Sequence, residues 1–171
     1  MTPETIRFID RWAGPPLCAC LTLWRRFIEA FSPKTSRSGP LKSVLFVKLV
    51  EQGATVLAVD AIRKAAEKAG RSNVFFCVFE ENRPILDILD LLPPENIRAI
   101  RRGNIFQFLG DTLRFLSFIR RKRIDAAVDM EFFARASAIL TYLTGAGRRV
   151  GLHRFTGDLP YRGDLMTHRV S

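Results

Sequence analysis

Carboxylates and cations gather in two short stretches, each where an apolar run gives way to a helical pattern. One is Lys48-Leu49-Val50-Glu51-Gln52-Gly53-Ala54-Thr55; the other is Asp129-Met130-Glu131-Phe132-Phe133-Ala134-Arg135. A carboxylate at such a place could take a proton from an attacking hydroxyl or orient the hydroxyls of a bound ligand. Asp129 ends an apolar run and Glu131 follows two residues later, so both reach one cleft, with Arg135 on the first turn of the next helix. Plainer roles stand beside these. Glu51 could cap a helix or simply be solvated, and Asp129 could satisfy backbone donors or pair with Arg135.

A third stretch is basic: Arg148-Arg149, His153-Arg154, Tyr161-Arg162 and Thr167-His168-Arg169. Guanidinium groups of this kind hold phosphates or lipid headgroups. Other chemistries are disfavoured. The 49–55 loop has one glycine, so it is neither a dinucleotide fingerprint nor a phosphate-binding P-loop. The two histidines fall outside metal-ligand spacing, so no metal and no cofactor is expected. No Ser/His/Asp or Cys/His nucleophile signature is present. Cys18, Cys20 and Cys77 are read as reduced, mostly buried thiols of a cytoplasmic protein, since Cys18 and Cys20 are too close for ordinary disulfide geometry.

The elements that position these residues follow from periodicity. Ser43–Lys48 is a short β-rich run suited to a strand buried on both faces. A helix is expected from about Ala54 to Ala69, stopped by Gly70. Strands are expected at Asn73–Phe79, Ile97–Ile100, Asp125–Asp129 and near Arg149–Leu152. Helices are expected at Pro84–Leu92, Ile105–Arg121 and Ala134–Leu143. Strands alternating with helices imply right-handed crossovers and a mostly parallel sheet, an α/β Rossmann-like three-layer domain over residues 41–171. In such sheets ligands bind beyond the carboxyl ends of the strands, where the first two stretches lie. The tail after Leu152 shows little periodicity.

Residues 32–40 form a polar Pro/Gly linker. Before it, residues 1–31 read as a helical arm broken near Gly14-Pro15-Pro16. Its uncharged stretch is about ten residues, short of the roughly 20 that span a bilayer. Trp12 and Trp24 flank that stretch, with basic residues adjacent, as in an in-plane membrane anchor; packing on the protein's own core is the alternative. Lys and Arg total 27 against 17 acids, a net charge of +10, which favours a polyanionic partner such as an anionic membrane or a phosphorylated saccharide. No nucleic-acid module is recognisable, so nucleic acid is not expected and remains only a weaker alternative resting on charge.

Three segments together resemble glycosyltransferase family 9, which includes the bacterial lipopolysaccharide heptosyltransferases. Ser43–Lys48 with the Gly53 loop and long helix is similar to the family's opening. Arg123-Ile-Asp-Ala-Ala-Val-Asp129 is similar to its YDLVIDLQ strand, and Gly145-Ala-Gly-Arg-Arg-Val-Gly151 to its GAKRRIGF segment. The resemblance covers roughly residues 42–155 and implies the N-terminal, acceptor-side half of a GT-B fold. A second domain would bind the nucleotide-sugar donor, and 171 residues leave no room for it, so the chain is expected to be truncated before that domain. The acceptor implied is a lipid-linked or phosphorylated saccharide, at the cytoplasmic face of the plasma membrane. The family carries an Asp after the loop glycine, taken as its catalytic base; here that position is Ala54. Glu51 and Asp129 are the replacement candidates for the base. Lys48, Gln52, Gly53, Glu131, Arg135 and Arg154 are the candidates for acceptor contacts. A catalytically inactive relative that only binds membrane or acceptor is the alternative.

Overall fold

The computed structural model of the protein describes residues 3–31, 39–132, 134–152 and 161–170. Apolar runs of four to six residues make strands buried on both faces: β1 (Val44–Val47) and β2 (Val74–Phe79) have no exposed residue. With β3 (Ile97–Ile100), β4 (Ala126–Asp129), β5 (Arg148–Leu152) and β6 (His168–Val170) they form one sheet, ordered β3-β2-β1-β4-β5-β6 and parallel throughout. The fold is therefore an α/β Rossmann-like layer structure, as the alternating pattern predicts. The order reverses between β1 and β4, the two strands that carry the candidate loops. Register puts Val47 level with Asp129, so both loops leave the sheet side by side.

Each strand sends alternate residues to opposite layers. Val44 and Phe46 meet Ile62, Ala65 and Leu86 on one side, which belong to α3 (Val59–Ala69) and α4 (Arg83–Leu89). Leu45 and Val47 meet Phe115, Ile119 and Leu140 on the other, from α5 (Ile105–Lys122) and α6 (Arg135–Leu143). The helix expected over 54–69 is two: α2 (Gln52–Leu57) and α3 part at Ala58. There the amide of Ala58 is shared between the carbonyls of Ala54 and Thr55, 3.2 Å from each, a tightening that lets the chain turn. Periodicity does not announce β6, because its three residues are all exposed on the sheet edge.

The arm departs from its sequence reading in one respect. It is a single helix, α1 (Pro3–Phe31), running unbroken through Pro15-Pro16, although each proline removes a backbone donor. Tertiary contact offsets that cost. Gly14, Cys18 and Thr22 face the body, and Cys18 packs with Ala138 of α6 and with Leu165 and Met166. Thr22 Oγ1 accepts the Asp164 amide at 2.9 Å, and Arg25 holds the Asp164 carboxylate at 2.6 Å. Two glycines permit the close approach. A Cβ on Gly14 would lie 2.5 Å from Arg135 Cδ; one on Gly163, at φ 71°, would lie 2.9 Å from the Cys18 carbonyl. The 32–40 linker falls mostly on residues 32–38, outside the described residues. All three cysteines are free; Cys18 and Cys77 are buried and Cys20 is exposed.

Candidate functional site

The β1 loop is held from both neighbouring strands. From the β4 side, Glu131 Oε1 accepts the amides of Leu49 (2.7 Å) and Val50 (2.8 Å), while Oε2 receives Lys48 Nζ at 3.1 Å. From the β2 side, Asn82 Nδ2 donates to the Leu49 carbonyl at 2.9 Å, and Gln52 Nε2 donates to the Glu81 carbonyl at 3.3 Å. Lys48 is sealed, its side chain 1% exposed. Burying an ammonium requires a matching charge, and Glu131 below and Glu51 above provide it, the latter at 3.2 Å. The three groups form a ladder from the interior to the surface.

Glu51 is the open end of this ladder, with 66% of its side chain exposed. Its backbone sits at φ 69°, ψ 96° as the residue preceding α2. Among the described residues two other non-glycine positions have positive φ, Asp90 and Arg123, and both end helices in the left-handed region. Glu51 opens a helix instead, at a ψ beyond that region. Conformations this sparse cost about 1–3 kcal/mol and persist only where the surroundings enforce them; Glu131, Asn82 and Gln52 do so here. Gly53 is exposed, and a Cβ there would meet nothing within 4 Å, so space lies directly beside Glu51. Ala54 presents only a methyl group on the first turn of α2.

Asp129 lies at the end of β4 in a different setting. Its carboxylate is fully enclosed and accepts Arg162 Nη2 at 2.5 Å, Ser137 Oγ at 3.2 Å and the Glu131 amide at 3.0 Å. Burial pushes its carboxyl up to about 6, while Arg162 pulls the other way. The pairing with Arg135 is not made. Arg135 is held by the Asp10 carboxylate of α1 at 3.2 Å and donates to the Tyr161 carbonyl at 2.8 Å. Asp10 also accepts the Ala136 amide at 2.8 Å, capping α6, whose own Ala134 has no side-chain acceptor to offer.

Six of the eight candidates thus occupy the carboxyl edge between β1 and β4: Lys48, Glu51, Gln52, Gly53, Asp129 and Glu131. Arg135 is turned toward α1 instead, and Arg154 lies outside the described residues. Two arginines of the basic stretch are engaged within the protein, while His168 and Arg169 are exposed. Arg149 is buried, donating to the carbonyls of Leu165 and Ala146 at 2.7 Å each, and Arg162 spans Asp129, Ala134 and Leu152. Sequence reasoning placed Arg162 among phosphate ligands and missed it as the partner of Asp129; a contact 33 positions apart leaves no local signal. Among the described residues no group of three His, Cys, Asp or Glu could hold a metal.

No family model matches the sequence, and no curated protein matches it. Among solved structures the chain is similar to the crystal structure of a glycosyl transferase of family 9 from Veillonella parvula DSM 2008, with a TM-score of 0.60 at 12% identity. The match covers 76% of this chain and 35% of that one, so the chain spans about a third of the length of the protein it resembles. At that identity the likeness is one of fold alone, an α/β Rossmann-like layer structure.

Proposed function

We propose that the chain is the acceptor-side portion of a sugar transferase and that Glu51 is its general base. The observation that carries this reading is the ladder Glu131–Lys48–Glu51, which fixes an exposed carboxylate in a strained backbone conformation over open space at the topological switch of the sheet. Function needs such a group: a base with one free face, oriented before the substrate arrives. Lys48 and Glu131 position it. Glu51 takes the proton of an acceptor hydroxyl, and that oxygen attacks the anomeric carbon of a nucleotide-activated sugar as the nucleotide leaves. The donor is held by protein outside this chain. The acceptor is a lipid-linked or phosphorylated saccharide of cell-envelope polysaccharide synthesis, and Gln52 and Gly53 line its approach. Asp129, enclosed by Arg162 and Ser137, has no free face and is assigned a structural role.

Glu51→Gln in the full native polypeptide tests this. Turnover with a nucleotide-sugar and saccharide acceptor should fall about 100-fold or more, with KM changing little. Turnover within a few-fold of the parent would remove Glu51 as the base. Ala54 favours a second reading, a relative that binds the saccharide without transferring to it. Titration of a phosphorylated saccharide would then shift the amide resonances of residues 49–53 while Glu51→Gln alters no reaction.

A further inference from the structure

The amphipathicity of α1 runs opposite to that of a helix serving only to pack. Its most buried residues, Gly14, Cys18 and Thr22, are small or polar, with Leu21 the large apolar side chain packed beside them. Its outward side carries Ile9, Trp12, Leu23, Trp24, Phe27 and Phe31, with Trp12 and Leu23 each 67% exposed and Phe31 77% exposed. Apart from the adjacent pair Leu23-Trp24, these positions, with Pro16 and Cys20 between them, recur every three to four residues and leave no charged residue along the stripe. The helix is about 43 Å long at 1.5 Å per residue, yet no described helix is long and apolar enough to cross a membrane.

We infer that this stripe is a docking surface for an anionic lipid bilayer, with α1 lying in the plane of the interface. Three features select lipid over protein. Aromatic side chains dominate the stripe, two of them Trp, the residue suited to the headgroup–acyl boundary. A second copy of α1 would need interdigitating aliphatic knobs, and Pro16 with bulky rings in their place does not supply them. The chain carries a net charge of +10, and exposed Arg26 borders the stripe while Glu29 is engaged by Arg25 at 3.3 Å, so the electrostatic match is to anionic headgroups. The inference stands apart from the transferase reading, because it uses no residue of the Glu51 ladder.

The protein reports on the surface itself: its two tryptophans, Trp12 and Trp24, both lie on the stripe. Adding phosphatidylglycerol-containing vesicles to the full chain should blue-shift the Trp emission, and brominated acyl chains should quench it. Pure phosphatidylcholine vesicles should bind more weakly, and salt should weaken binding to anionic vesicles without abolishing it. The double variant Leu23→Glu/Phe27→Glu, unchanged in far-UV circular dichroism, should lower the vesicle partition coefficient roughly tenfold or more. Leu113→Glu, which alters an exposed apolar residue of α5, should leave it unchanged. No spectral change with any vesicle would overturn the inference, as would equal loss in the Leu113 variant. A blue shift that grows with protein concentration in the absence of lipid would assign the stripe to a second copy of the chain.

Discussion

Strands β1 and β4 lie side by side, and their ends hold charge in opposite ways. At the end of β4, Asp129 is closed on all sides by Arg162, Ser137 and a backbone amide. Beyond the end of β1, Lys48 is closed by Glu131, but the cluster continues outward to an exposed carboxylate, Glu51. The sealed pair has no face open to solvent, whereas the ladder ends in a carboxylate that has one. One residue links the two arrangements. The Glu131 amide serves Asp129, and its carboxylate serves the β1 loop.

Removing that link should have the largest effect. Glu131→Ala strips the buried Lys48 of its inner counter-ion and leaves the amides of Leu49 and Val50 without an acceptor. Breaking a buried pair from one side costs about 3–5 kcal/mol. Equilibrium urea denaturation should show a loss of that size, and Glu131→Gln, which keeps a carbonyl acceptor, should lose less. A loss within about 0.5 kcal/mol, typical of surface substitutions, would mean that Glu131 does not hold the loop.

Asp129 gives the next effect, readable through pH. Its folded value of about 6 lies above the ordinary 3.8, so between those values the native state binds more protons than the unfolded state. Stability from this group is therefore fully present below about pH 4 and declines as pH rises through about 6. A displacement of this size corresponds to about 3 kcal/mol. Asp111 behaves oppositely: Arg101, bonded at 2.8 Å, holds it down at about 2, so its contribution is present above about pH 4 and lost as pH falls toward 2. Stability measured from pH 4 to pH 6.5 should decline in the parent and flatten in Asp129→Asn. An unaltered slope in the variant would assign the decline to other groups.

The contrast between the two strand ends also marks what sequence can disclose. Parallel strands buried on both faces appear as apolar runs such as Val74–Phe79, and Gly70 announces the end of α3, so the layer order follows from local pattern. The carboxyl-edge location of Lys48, Glu51, Asp129 and Glu131 follows in turn, because ligands of such sheets gather where strand order reverses. Which carboxylate is open does not follow. Asp129 is closed by Arg162 and Arg135 is diverted by Asp10, and both contacts join residues far apart in the chain. Nor does a residue type declare its backbone angles: nothing about a glutamate before Gln52-Gly53 foretells φ 69°. Continuity of α1 across Pro15-Pro16 escapes local reasoning for a related cause, since what holds that helix is its seat on α6 and Asp164.

The smallest expected effect discriminates most finely, because it has two signs. Glu51→Gly removes a side chain that is largely in solvent and gives the strained position the one residue that adopts positive φ freely. If the strain is stored for function, stability should rise by about 1 kcal/mol, reduced somewhat by the loss of the outer Lys48 partner. Transfer by the full native polypeptide should at the same time be lost. Glu51→Ala separates the two contributions, since it deletes the carboxylate but retains the strain, so it should match the glycine variant in activity and fall below it in stability. Urea denaturation of the two variants side by side checks this. Equal stabilities would mean that the loop relaxes at no cost and that Glu51 is merely a solvated residue, whereas a glycine variant that is more stable but inactive would locate both the strain and its use at one position.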